Sequence, residues 1–299
     1  MSRAKRNAAA EDYFKRAPGY SAEAIEDLSA VVERCRPNER NILSWLIAAA
    51  ESGHKFVLPD YGQILGETPF ASLQAAASGA RLPYPEVVIE FAAPTRGALG
   101  TGRVECEKRL VVCVEVPADG RAGAFSGGFM AWPFGFTMGH WRPQAFGFGI
   151  YYPEHGEGLA LAAFGEHGER VGQELRDEGR NIEEFACREY ATELHAVYGL
   201  LAALACTNVT TEILRPNREA RAARPASTLF DYHVLVLDPS RVREPGEDRG
   251  GTHASPRTHL RRGHIRRHPT AGRIWVNQCV VAPTSIGTVN KDYRVKRPS

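Results

Sequence analysis

What this sequence lacks narrows it first. No two of its six cysteines (Cys35, Cys106, Cys113, Cys187, Cys206 and Cys279) stand in a CxxC spacing. That removes zinc-ribbon and thioredoxin-type sites, and it reads as small buried hydrophobes in a reducing compartment. No apolar h-region follows the basic first residues, so nothing resembles a secretory signal. The longest apolar run, Ala196 to Cys206, is too short to cross a bilayer. Both absences lead us to expect a cytoplasmic protein with no membrane partner. Internal repeats and low-complexity tracts are missing too, which excludes solenoids and arrays.

What is present is ordinary in bulk and uneven in layout. The 299 residues are 43% hydrophobic and 24% charged, a globular composition. A chain of this length buries about three-quarters of its unfolded surface, so it needs no metal or disulfide to fold. Net charge is only +2, yet Arg257 to Arg297 holds ten Lys/Arg against one acid, Asp292. That segment carries +9 and leaves −7 for the remainder. Such asymmetry points to a surface for an anionic partner, or to a basic tail lying on an acidic body.

Residues 1–20 read as a flexible arm. Ser21 is a plausible N-cap for a helix ending near Cys35, with Ala24, Leu28, Val31 and Val32 at helical spacing. Pro37 breaks it. A second helix is expected from Asn38 to Glu51, with Ile42, Trp45, Leu46 and Ala49 as its stripe and Gly53 as its stop. Its opposite face is too weakly basic for a DNA recognition helix. Two strands follow, Glu86–Phe91 and Arg109–Val116. If they pair, Glu86, Glu90, Glu115 and Arg109 can share one surface, either as an acid/base or metal-binding patch or as ion pairs on a solvated sheet.

Between Phe125 and Tyr152 lie ten of the chain's 27 aromatic residues, interleaved with glycines. Without a GK[ST] ending this is no phosphate loop. Either the rings form a base-stacking platform, or the glycines make room for them in a core of short strands; the scarcity of cations favours the core. Farther on, Asn181 is the expected N-cap of one long central helix reaching Thr207-Asn208, about 39 Å at the standard rise. Phe230–Asp238 is a continuous apolar strand, hence buried, and 239–256 a mobile loop.

The basic C-terminal stretch carries the densest signal. His259-Leu-Arg-Arg-Gly-His-Ile-Arg-Arg-His268 and Arg273–Val281 flank a turn, which predicts a β-hairpin. Arg262, His264, Arg266 and His268 then line one face about 6.6 Å apart, a row suited to a sugar-phosphate backbone. The other face holds His259, Arg261, Gly263, Ile265 and Arg267. Metal binding by His259, His264 and His268 is disfavoured: no acids stand near and the arginines repel a dication. Acid–base cleavage of RNA by His259 or His264, with arginines on the phosphate, is a second option.

The run from Asn217 to Val295 also resembles the C-terminal part of a family of proteins from tailed bacteriophages and prophages. The matching pieces are Tyr232-His-Val-Leu, Ser255-Pro-Arg, the His259-x-Arg-Arg-Gly-His core, Ile274-Trp-Val and Lys291-Asp-Tyr-Arg-Val295. Ala282 departs from the glycine of that pattern. The resemblance covers about a quarter of the chain and implies a phage context, with no established activity and no catalytic residues to transfer.

The sequence therefore predicts an α+β protein with an N-terminal helical hairpin, a mixed or antiparallel sheet, one long central helix and a C-terminal basic β-hairpin. Its parts are an arm (1–20), a main domain (21–238), a mobile loop (239–256) and a hairpin packed on the main domain (257–299). The expected function is nucleic-acid binding, RNA or DNA, through Arg257, Arg261, Arg262, His264, Arg266, Arg267, His268 and Arg273. The alternatives are a ribonuclease or phosphodiesterase using His259 or His264, and a non-enzymatic inhibitor docking an acidic host protein. Neither a cofactor nor a metal is expected, and whether the chain is an enzyme stays open.

Overall fold

The computed structural model describes residues 16–64, 68–96, 104–118, 125–156, 158–237, 259–261, 264–269, 272–276 and 279–281. The fold is α+β. Its centre is a nine-stranded mixed sheet. In chain order the strands are β1 (His54–Val57), β2 (Glu86–Arg96), β3 (Val104–Val116), β4 (Gly128–Thr137), β5 (His140–Pro143), β6 (Phe146–Tyr151), β7 (Leu159–Ala163), β8 (Val209–Leu214) and β9 (Tyr232–Leu237). Their spatial order is β7-β6-β4-β3-β2-β1-β9-β8, with β5 paired to β4. β1 runs parallel to both β2 and β9, and the other neighbours are antiparallel.

Helices cover both faces. α1 (Tyr20–Val32) and α2 (Pro37–Ser52) lie on one side. On the other lie α3 (Phe70–Ala77), α5 (Ile182–Glu189) and α6 (Ala191–Leu204). α4 (Gly165–Asp177) packs at the β7 edge, and α7 (Arg218–Ala223) precedes β9. Alternation along β2 sends Val87, Ile89 and Phe91 into the core under α6, and Val88 into the core under α2. β3 does the same with Val111 and Cys113 against Leu110, Val112 and Val114. Both strands thus read as continuous apolar runs because both their faces are buried.

The Gly/aromatic stretch is core, as the scarcity of cations suggested. Phe129, Trp132, Phe134, Trp141, Phe146 and Phe148 are all buried in β4, β5 and β6. Two of its glycines make room for rings. A Cβ at Gly147 would meet the Trp132 ring at 2.6 Å, and one at Gly149 the Phe125 ring at 2.5 Å.

Several expectations are corrected. The single long helix is two, α5 and α6, meeting at Tyr190 with φ −104° and ψ 25°. Asn181 is the N-cap as expected, its side chain accepting from Glu184 N at 3.0 Å. Ser21 is not a cap: α1 begins after Gly19. The stripe of α2 is rotated. Leu43, Leu46, Ile47, Ala49 and Ala50 are buried while Trp45 is 41% exposed. With so many apolar residues in the helix, several stripes satisfy the 3.6 period, and the sheet beneath selects one. Of the expected arm, residues 1–15 lie outside the described residues, and Ala17 is buried against Ala220 and Tyr232. The expected loop at 239–256 lies outside them too. No helix among the described residues is long and apolar enough to cross a membrane, and the four cysteines whose side chains are described, Cys35, Cys113, Cys187 and Cys206, are free thiols.

Candidate functional site

The C-terminal hairpin forms. β10 (His259–Arg261) pairs antiparallel with β13 (Cys279–Val281), and β11 (His264–His268) with β12 (Gly272–Val276). One register runs through both ladders, from His259 opposite Val281 to His268 opposite Gly272. Cross-strand partners share a face, so Ile265 with Trp275 and Arg267 with Arg273 form one side. Trp275 is buried in the core under α6, and Ile265 packs against the same cluster. Positions 264, 266 and 268 fall on the side away from Trp275.

Hydrogen bonds through three residues, Asn208, Thr207 and Arg273, fix the hairpin to the body. Asn208, just before β8, acts as a surrogate strand residue: its Oδ1 accepts from Trp275 N and its Nδ2 donates to Trp275 O, both at 2.9 Å. Thr207 N donates to Arg273 O at 2.9 Å. Arg273 donates to Ala76 O at 2.7 Å and to Ser78 O at 3.1 Å, the carbonyl end of α3. A cation there complements the helix dipole and is drawn away from Arg267 directly opposite. Arg273 is therefore an anchor, whereas Arg266 and Arg267 are exposed. Arg257 and Arg262 lie outside the described residues, as do the side chains of His259, Arg261, His264 and His268.

The shared acidic surface on β2 and β3 does not exist. Glu86 and Glu90 stand opposite Val114 and Leu110, but Arg109 stands opposite Phe91, on the other face of the sheet. Arg109 instead donates to the buried Glu193 of α6 at 2.9 Å. Glu90 is fully buried under α1, where its carboxylate accepts from Tyr20 N (2.9 Å), Ser21 N (3.0 Å), Ser21 Oγ and Tyr232 Oη (3.1 Å). It thereby satisfies two of the unpaired N–H groups that open α1. Burial pushes its pKa up, against the four donors, which favour the charged form.

Sequence reasoning missed one cluster. His54 opens β1 and His233 lies in β9, and the parallel pairing of those strands brings His54 Nδ1 to 3.0 Å from His233 Nε2. The His54 ring stacks on Tyr84, centroids 3.5 Å apart, and His233 stacks on Phe56 at 4.9 Å. His54 is exposed and His233 buried, with His233 Nδ1 unpartnered among protein atoms. Burial lowers both pKa values, aided by Lys55 at His54 and by His54 at His233. Next to them Lys55 donates to Glu51 O and Gly53 O, both at 2.7 Å, at the end of α2. Burial pulls its pKa down to about 8. These groups surround a cavity of about 300 Å³. The two histidines are 179 positions apart, and no local pattern links them. Among the described residues no group of three or more His, Cys, Asp or Glu is arranged to hold a metal ion. Comparison with protein-family models, with curated proteins and with solved structures gives no match for this chain.

Proposed function

We propose that this chain binds a nucleic-acid strand through its C-terminal hairpin, in the phage or prophage setting that the sequence resemblance implies. The observation that carries this reading is the way the hairpin is held. Trp275, Asn208 and Arg273 fasten one side to the body, and both Arg266 on the free side and Arg267 on the fastened side remain exposed. A basic strand held by a rigid scaffold has already lost its conformational entropy, so its phosphate contacts are not offset by ordering. Arg261, Arg262, Arg266 and Arg267 are the phosphate contacts, with His264 and His268 beside them. Arg273 leaves the set, since its guanidinium is engaged with α3.

The test is binding of labelled single-stranded RNA, single-stranded DNA and duplex DNA, with product analysis on gels. The Arg261→Ala/Arg262→Ala/Arg266→Ala/Arg267→Ala variant is run beside the wild type. Binding by the wild type that disappears in the variant supports the proposal. Cleavage abolished by His264→Ala with binding retained converts it to a nuclease. Failure of a folded wild type to bind any of the three removes both and leaves an acidic host protein as the partner.

A further inference from the structure

We propose that the cavity between α2, β1 and β9 binds a small organic cation: an amidinium, guanidinium or alkylammonium group on an apolar body. This is independent of the hairpin. The first support is what the walls offer. Glu51 and Asp231 line the cavity, and α2 ends here, where the carbonyl end of a helix carries partial negative charge. Glu86 is close enough to act on Lys55 from the neighbouring strand. Among the described residues, two cations beside the cavity are already engaged: Lys55 donates to two carbonyls of this helix end, and Arg215 pairs with Asp231 at 3.4 Å. That second pair is between exposed side chains and holds weakly against a competitor. An incoming anion meets carboxylates and carbonyl oxygens, whereas a donor-rich cation meets acceptors.

The second support is the rings. Lys55 Nζ lies 4.0 Å from the Phe230 centroid, so that ring already balances the protein's own ammonium by a cation–π contact. Tyr84, stacked on His54, and the exposed Ile213 supply apolar surface for the rest of a ligand. The third support is His233. It is 4% exposed, it forms part of the wall, and its Nδ1 has no protein partner. A buried polar atom left unpaired by the chain marks a place where the protein alone is incomplete. A cavity of about 300 Å³, in which Tyr84, Ile213 and Phe230 give apolar surface among polar and charged side chains, is large enough for a small molecule.

Benzamidinium chloride is the probe, with benzamide as its neutral counterpart of similar shape and benzoate as the anionic one. Histidine ring C–H NMR signals, assigned with His54→Gln and His233→Gln, read the binding. Benzamidinium is expected to shift both signals saturably, benzamide to bind about tenfold or more weakly, and benzoate not at all. Glu51→Gln/Asp231→Asn, two exposed positions, should weaken benzamidinium by about tenfold with the remaining spectrum unchanged. Equal affinity for benzamide, preference for benzoate, unchanged affinity in the double variant, or no shift of either histidine at millimolar probe overturns the proposal.

Discussion

Glu90 offers the sharpest test of how the fold is held together. Four donors converge on its carboxylate: the N–H groups of Tyr20 and Ser21 in the first turn of α1, the Ser21 hydroxyl, and the Tyr232 hydroxyl of β9. One buried side chain thus ties the first helix, strand β2 and strand β9 together. Glu90→Leu removes the acceptor and keeps apolar volume. The two backbone donors of that turn lose this carboxylate, and an orphaned buried donor costs about 1–3 kcal/mol. The hydroxyls can rotate but are buried against the same site. The expected loss is about 3–5 kcal/mol, comparable to breaking a buried ion pair and a large part of a typical domain's stability of about 5–15 kcal/mol. Glu90→Gln keeps one oxygen for Ser21 and Tyr232 and sets an NH₂ against Tyr20 N–H, so it should cost about 1–3 kcal/mol. Urea denaturation of the three proteins gives the ranking, and hydrogen exchange at Tyr20 and Ser21 should accelerate in both variants. Equal stability of wild type and Glu90→Leu, or Glu90→Gln the worse of the two, would refute the reasoning.

Three further outcomes follow from single features. Gly147→Ala drives a Cβ into the Trp132 ring and should destabilise by about 1–3 kcal/mol, with partial relief in the Gly147→Ala/Trp132→Phe double variant; a neutral Gly147→Ala in chemical denaturation contradicts the packing account. Met138, 88% exposed at the tip of the β4–β5 hairpin, has φ 52°, so Met138→Asn should raise stability by about 0.5–1 kcal/mol, visible as a higher Tm. His54 and His233 have folded pKa values depressed below the unfolded value of about 6.5. The unfolded chain therefore binds more protons, and their contribution, present above about pH 6.5, is lost as pH falls through the depressed values. Stability measured at about pH 7.5 and about pH 5 should drop more in the wild type than in His54→Gln/His233→Gln; equal drops would show that the pair is not the cause.

Local rules carried the sequence a fair distance. The Asn181 cap, strands β2 and β3, the hairpin around Pro269 and the burial of the Gly/aromatic block all follow from neighbours in the chain. What failed was whatever depends on distant partners. Glu90 sits at an alternate position of a strand and looks like a solvated residue, because the helix N-terminus that buries it comes from 70 residues earlier. Strand alternation alone allows Arg109 and Glu86 one surface, and the true register puts them on opposite faces. The break at Tyr190 has no glycine or proline to announce it. Arg273 looked like another phosphate contact until α3 supplied the carbonyls it binds. The His54–His233 pair exists only because β1 and β9 are neighbours.

The claim that the docked hairpin contacts phosphates is tested most directly by the salt dependence of RNA binding in wild type and Arg266→Ala/Arg267→Ala. Each phosphate contact on a single strand contributes about −0.7 to the slope of log K against log salt, so losing two should make it shallower by about 1.4. That change, with thermal stability intact, is the predicted result. An identical slope in the two proteins, or no binding by the wild type at low salt, would contradict the account.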